Sequence, residues 1–424
     1  MSAYRDLRID ADRLYASLDE LGKVGAFPDE FSDREGVCRL ALSDADAEGR
    51  RLVKGWYQAA GLDVGIDRIG NVYATRAGMD MSLRPVMTGS HLDSVPTGGR
   101  FDGALGVLAG LEVVRTLNDH AAETRRAVTT AFFTDEEGCR FGTDMLGSAV
   151  ATGRIDLEQA WSLTDRAGKT LREELERIGF LGEEPVGERT PHAFVECHVE
   201  QGPLLIRGDQ EMGVVTGVQG ISWWEVTITG RAAHAGTTPT SYRNDAGLVA
   251  ALINVRLREM ADCGEYGEMR GTMGVVCPEP GAINVIPGRV EATVDLRNPD
   301  DAQMERVEVA IQSDAAKFAE QHGVELTWRQ TAKTAMVPFD ESVQKVIAGI
   351  AEDFGLRYTR LIAGAGHDAQ EWAAVCKAGM VFVPGEDDGI SHNPREFSTK
   401  EQCAAGANVL LQAVLALADE DGFR

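Results

Sequence analysis

VMTGSHLDSVPTGGRFDG, residues 86–103, decides the fold. Val86–Ser90 reads as a short buried strand that delivers His91 at its end. A glycine-rich loop follows, and an apolar stretch from Ala104 to Leu117 predicts a helix. AVTTAFFTDEEG, residues 127–138, predicts a second buried strand ending at Asp135–Glu137. Strand, helix and strand in alternation predict an α/β sheet, and such sheets place their chemistry at strand ends.

The same texture extends outward. The first eighty residues read as helices and loops, followed by a first strand near GNVYATRAG (70–78). Residues 151–190 are polar and helical, and AFVECHVEQG (193–202) is again a strand with polar residues at its end. From Met212 to Arg329 the pattern changes. GVVTGVQGISWWEVTITG, GTMGVVC and VEATVDLRN alternate like antiparallel strands, with helices expected over Asn244–Met260 and Ala302–His322. That order predicts a small α+β domain of ferredoxin-like kind. The α/β texture then resumes with YTRLIAG, GMVFVPG and a closing helix near Ser398–Ala418. The expectation is a catalytic domain in two segments, 1–211 and 330–424, interrupted by an insert at 212–329.

Size and charge restrict the function. A chain of 424 residues exceeds one ordinary core, so two domains are expected. The net charge of −25 (42 − 67) argues against nucleic acid and anionic membranes as partners. No uninterrupted apolar run reaches the roughly 18 residues that a bilayer requires. The opening MSAYRDLRIDADRLY lacks an apolar leader segment, so a soluble cytoplasmic protein is expected. The seven cysteines, Cys38, Cys139, Cys197, Cys263, Cys277, Cys376 and Cys403, are scattered and form no CxxC pair. This argues against a disulfide framework or a structural zinc knuckle. Cys139 and Cys197 lie beside motif residues, but neither has an evident base partner.

Five residues are spaced like the ligands of a two-metal hydrolase: His91, Asp102, Glu137, His198 and His392. Each lies beside glycine in what reads as the end of a strand. A pair of metal ions needs a bridging carboxylate flanked by His, Asp or Glu. A single such histidine is more often a hydrogen-bonded filler of a strand end than a ligand. The two adjacent glutamates of FFTDEEG are harder to explain structurally, because buried carboxylates are costly unless paired or metal-bound. They divide labour on the metal reading. Glu137 ligates, and Glu136 takes a proton from the activated water and later gives it to a leaving nitrogen.

GSHLDSVPTGGRFDG, FTDEEGCRFG, HVEQGPLL, GRAAHAGTTP, GAINVIPG with VDLRN, AGAGHDA and ISHNPREF occur in this order. Together they resemble the hydantoinase/carbamoylase family of dinuclear metal-dependent amidases. That family includes N-carbamoyl-L-amino-acid hydrolases, allantoate amidohydrolases and β-ureidopropionases, and is related to dinuclear aminopeptidases and acylases. The resemblance runs from about residue 60 to 400. It implies a zinc-peptidase-like mixed-sheet α/β catalytic domain with an inserted ferredoxin-like dimerisation domain. It implies two divalent ions per subunit, zinc by preference and manganese, cobalt or nickel as alternatives. His91, Asp102, Glu137, His198 and His392 match the ligands, Asp102 the bridge and Glu136 the catalytic acid/base. His234 matches a histidine that reaches the partner subunit's site of a homodimer and polarises the scissile carbonyl. Asn284 and Arg297 match substrate-carboxylate contacts, for which a guanidinium fork is well shaped. Gln201 and Gly366 match further substrate contacts.

The function so implied is hydrolysis of the carbamoyl group of an N-carbamoyl-L-amino acid to amino acid, ammonia and carbon dioxide. Allantoate or a β-ureido acid suits the same machinery. A dinuclear aminopeptidase or deacylase shares the metal chemistry but lacks this carboxylate anchor, and a non-catalytic binding protein has no use for Glu136.

Overall fold

The computed structural model describes residues 4–419. The chain forms two compact units, one built from residues up to Gly217 and again from Pro338 onward, the other from Val218–Val337. The boundaries therefore lie several residues beyond the expected 211/212 and 329/330. Met212–Val218 pairs antiparallel with Lys377–Val383, so it belongs to the first unit's sheet. Glu325–Thr334 pairs along Gly220–Thr229, which keeps it in the insert.

The first unit is organised on a nine-stranded mixed sheet. Its order is Val337–Pro338, Met212–Val218, Lys377–Val383, Ala193–Val199, Val86–His91, Val128–Phe133, Val72–Arg76 and Asp63–Ile66, with Tyr358–Ala363 also on Met212–Val218. The four middle strands run parallel and in near register. Val86 lies opposite both Ala193 and Val128, and Lys377 opposite Ala193. Their carboxyl ends therefore finish along one edge. Every residue of Val86–His91, Val128–Phe133 and Ala193–Val199 is buried, as parallel strands covered on both faces require. The sequence pattern missed Asp63–Ile66 and ran the Val128–Phe133 strand too far, since polar residues begin at Thr134.

Two of the helices that lie against this sheet bear on the site and the core. Ala104–Asp119 begins directly after Asp102 and Gly103, with Gly106 and Gly110 toward the strands. A Cβ on Gly106 would come within 2.5 Å of the Cys197 carbonyl oxygen and 2.8 Å of Ser90 Cβ. Lys400–Asp419 passes, by length and composition, the test for a membrane-crossing helix. It is mostly buried, however, and Val409, Leu410, Val414 and Leu417 sit in the first unit's apolar core, which is how a core helix of this length reads.

The insert has its own core. Gly220–Thr229, helix Ala246–Asp262, the split strand Arg270–Thr272 and Val276–Glu279, Arg289–Asn298, helix Asp301–His322 and Glu325–Thr334 follow in order. Numbered 1–4 along the chain, the strands lie 2-3-1-4, all antiparallel, the ferredoxin-like arrangement. Val226, Ile228, Val290 and Val294 pack with Val249, Ile253, Leu257, Val307 and Ile311 of the helices. Alternation then puts Glu225, Glu291, Asp295 and Arg297 on the other face. A separate two-residue ribbon pairs Ala233–His234 with Val285–Ile286.

Gly106→Ala tests the closeness of the helix to the strands. Alanine favours an isolated helix by about 1 kcal/mol, but overpacking of this kind costs about 1–3 kcal/mol. Urea unfolding should show a lowered midpoint for the variant; a raised midpoint would mean that the helix moves freely away from Cys197.

Candidate metal centre

His91 is the last residue of its strand, and His198 the penultimate residue of the neighbouring one. His91 Nδ1 lies 2.9 Å from the Asp93 carbonyl oxygen, and His198 Nδ1 2.9 Å from that of Val199. Each Nδ1–H donates there, which fixes the ring and turns Nε2 to the front. The two Nε2 atoms face one oxygen of Asp102, Oδ1, at 3.4 and 3.1 Å.

Asp102 is carried by the glycine-rich loop. Gly103 has φ +64°, and a Cβ there would lie 2.4 Å from the His91 ring, so the loop approaches the imidazole as only glycine permits. The other oxygen of Asp102, Oδ2, faces a different set. His392 Nε2 is 3.5 Å away, Gln201 Nε2 donates at 2.8 Å and Ser391 Oγ lies at 2.9 Å. His392 Nε2 is also 3.3 Å from Glu137 Oε2.

Glu136 and Glu137 follow the strand in a turn rather than ending it, because the strand closes at Phe133. Both oxygens of the buried Asp93 accept from this turn, Oδ1 from the Glu136 N–H at 3.3 Å and Oδ2 from the Glu137 N–H at 3.2 Å. Glu136 Oε2 comes within 3.6 Å of His91 Nε2. His392 does not end a strand either. It sits in the loop after Lys377–Val383 with a left-handed backbone, φ +54°.

The five candidates thus form two groups, His91–Asp102–His198 and Asp102–Glu137–His392, that share Asp102. Their chemistry fits divalent cations. Nitrogen and carboxylate oxygen are the usual donors, and His91 Nε2 and Glu137 Oε1 are buried without a hydrogen-bond partner. Burial raises the Glu136 and Glu137 carboxyls well above the usual range, and neighbouring acids add to the shift. Burial also opposes ionisation of Asp102, but His198 and His91 outweigh it and hold that carboxyl well below its ordinary value. Burial works against protonation of His91 and His198 too, yet Glu136 and Asp102 for the first and Asp102 for the second raise both imidazoles. Cation binding therefore competes with protons on these rings.

Gln201 joins the Asp102–His392 group through its amide, again at a left-handed position, φ +57°. Gly366 lies in the turn before His367, and a Cβ on it would meet Met145 Cε at 3.0 Å. His367 is buried, 4.5 Å from the His198 ring centroid, and forms a third group with Glu196 and His198. Burial, with His198 beside it, holds His367 well below the ordinary imidazole value, so it is neutral.

The remaining candidates belong to the insert. His234 is exposed on the two-residue ribbon opposite Val285, next to Asn284, whose carbonyl oxygen accepts from the Ala235 N–H at 2.9 Å. Its Nδ1 accepts from the N–H groups of Gly236 (3.0 Å) and Thr237 (3.3 Å). That leaves Nε2 as the protonated, outward nitrogen. Arg297 is held in its fork by Asp295, Nε to Oδ1 at 3.2 Å and Nη2 to Oδ2 at 3.0 Å.

Sequence reasoning missed four supporting groups. Besides Asp93, Glu196 accepts from Ser90 Oγ at 2.6 Å and from the Ala369 N–H at 2.8 Å. Ser391 and Glu396 hold the Asp102 loop, with Glu396 Oε1 accepting from the Phe101 and Asp102 N–H groups at 2.9 and 3.0 Å. Asp93 and Glu196 carried one available signal, an acidic residue inside an otherwise apolar or glycine-rich stretch.

The chain as a whole is similar to known proteins. The profile of peptidase family M20/M25/M40 matches residues 87–416. An N-carbamoyl-L-amino-acid amidohydrolase of Rhizobium meliloti is 43% identical over 97% of each chain. A ureidoglycolate hydrolase of Arabidopsis thaliana is 32% identical over 95% of this chain and 86% of its own. The crystal structure of a hydantoinase/carbamoylase family amidase from Burkholderia multivorans superposes with a TM-score of 0.93 at 45% identity, covering 98% of this chain and 99% of that one.

Gly103→Ala should lower zinc affinity by at least about tenfold through the His91 ring, read by chelator competition; wild-type affinity would show that the ring and loop adjust. A pH dependence follows as well. Burial raises Glu396 from 4.5 and Asp67 from 3.8, each to about 7. A raised carboxyl stabilises the fold fully below its unfolded pKa, and that contribution is lost as pH rises through the folded one. Together with the other buried acids whose values are raised, these two should make metal-free protein lose thermal stability between about pH 4.5 and 7, and a flat profile by scanning calorimetry in chelator would show that the buried carboxyls are solvated.

Proposed function

Because the chain belongs to peptidase family M20/M25/M40, and within it to the hydantoinase/carbamoylase amidases, we propose that it hydrolyses the carbamoyl C–N bond of an N-carbamoyl-L-amino acid. The family is metal-dependent, and the described residues include candidate metal-binding groups. The observation that carries the reading is Asp102, one oxygen facing His91 and His198 and the other facing His392, with Glu136 alongside.

We assign two cations, zinc first, to the two groups that share Asp102. When bound, they supply Lewis acidity for the carbamoyl oxygen and bring the attacking water's pKa toward neutrality. The protein's own residues do the rest. Glu136, held at its backbone by Asp93, takes the water's proton and passes it to the departing nitrogen. The amino acid leaves, and the carbamic acid released with it breaks down to ammonia and carbon dioxide. From the insert, Arg297 and Asn284 are assigned to the substrate carboxylate. His234, whose Nε2–H is set by the two bonds to Nδ1, donates to the carbonyl oxygen as charge develops there. The family resemblance extends this reading to a homodimer in which His234, Asn284 and Arg297 serve the partner's site.

The N-carbamoyl substrate is preferred to ureidoglycolate because a relative named for the first is 43% identical, against 32% for the ureidoglycolate enzyme. Amino-acid release from N-carbamoyl-L-amino acids and N-acetyl amino acids, with ammonia release from allantoate and ureidoglycolate, by metal-loaded enzyme tests the assignment. Turnover should be fastest on a carbamoyl amino acid, and preference for the N-acetyl compounds would replace this reading with a deacylase. Glu136→Gln should retain both cations by elemental analysis while kcat falls at least about 10²-fold; near-wild-type turnover would remove Glu136 from the mechanism.

A further inference from the structure

We propose that Glu396 is a positioning residue that selectively sustains the Asp102–Glu137–His392 cation group, an inference that rests on the two-cation reading above. Its carboxyl is buried and fully engaged. Oε1 accepts from the backbone N–H of Phe101 and of Asp102, and Oε2 lies 2.6 Å from Ser391 Oγ. The same Ser391 hydroxyl is 2.9 Å from Asp102 Oδ2, the oxygen that faces His392. Glu396 thus fastens the loop carrying Asp102 to the segment carrying His392, five residues after Ser391 in its own chain. The loop makes room for it. A Cβ on Gly99 would lie 2.4 Å from both Glu396 Cβ and Oε1.

The selectivity follows from how each ligand is otherwise held. His91 and His198 stand on buried central strands, and each anchors Nδ1 on a carbonyl close by in its own chain. Glu137 is placed by Asp93. His392 has none of these supports. Its backbone is left-handed, its ring is half-exposed and it lies in a loop. The shortest tie of that loop to Asp102 runs through Glu396 and Ser391, supplemented by a longer bond from Thr97 Oγ1 to the His392 carbonyl oxygen (3.4 Å), by Gln201 between Asp102 and His392, and by the edge-on contact of Phe397 with Phe101, ring centroids 5.8 Å apart. Loss of Glu396 therefore loosens the second group and leaves the first on its strands.

The test is zinc titration of metal-stripped full-length protein against a chromophoric chelator, with thermal unfolding of the metal-free proteins alongside. Wild type should bind two ions. Glu396→Ala should keep one at wild-type affinity and weaken the other by about 10–100-fold. Glu396→Gln should recover most of that loss, because its amide oxygen still accepts from both N–H groups. Ser391→Ala should weaken the same ion, and it carries the comparison if Glu396→Ala does not fold. Two ions at unchanged affinity in Glu396→Ala, or equal weakening of both, overturns the selective role while the proposed function stands. Fewer than two ions in wild type overturns the two-cation reading and this inference with it.

Discussion

A single carboxylate facing two ways organises the candidate centre. Asp102 presents Oδ1 to two imidazoles from neighbouring parallel strands and Oδ2 to a third imidazole from a distant loop. The arrangement concentrates charge where water is excluded, so the surroundings must compensate. Backbone N–H groups aimed at Asp93, Glu196 and Glu396 do much of this, since buried acids are tolerable only when hydrogen-bonded or neutralised. The residues that support the candidate groups are accordingly acidic themselves, and they fix the strand ends and loops that carry those groups.

The parallel sheet explains why these groups meet. In-register parallel strands deliver the residues after their carboxyl ends to one edge, and all the strand-borne candidates lie there. Close packing of Ala104–Asp119 through Gly106 draws the Asp102 loop onto that edge. The left-handed backbones at Asp135, Gln201 and His392 cluster in the same place. Backbone conformations of this kind persist where surrounding contacts hold them, and they concentrate at sites.

The sequence made the central strands legible because a continuous apolar run closed by polar residues has few other readings. The insert was legible from its alternation, since an antiparallel sheet with one covered face repeats every two residues. Boundaries were less so. Met212–Val218 looks antiparallel and is antiparallel, yet it belongs to the larger sheet, and periodicity cannot name a strand's partner. His91, Glu137 and His198 could be picked out as candidates because they stood close after apolar runs. Glu396 could not, because its work is done through backbone N–H groups about 295 residues away in sequence. Long-range contacts of that kind leave no periodic trace.

The interruption of the larger unit by the insert has a consequence for biosynthesis. Lys377–Val383 is a middle strand of the main sheet, and Lys400–Asp419 fills its core, yet both emerge from the ribosome only after the whole insert. The insert is contiguous and can complete its hydrophobic interior during translation, whereas the larger unit must wait with Ala193–Val199 uncovered along one side. The nascent chain therefore carries an unpaired apolar strand edge while residues 200–376 are added, an interval in which chaperone capture competes with aggregation.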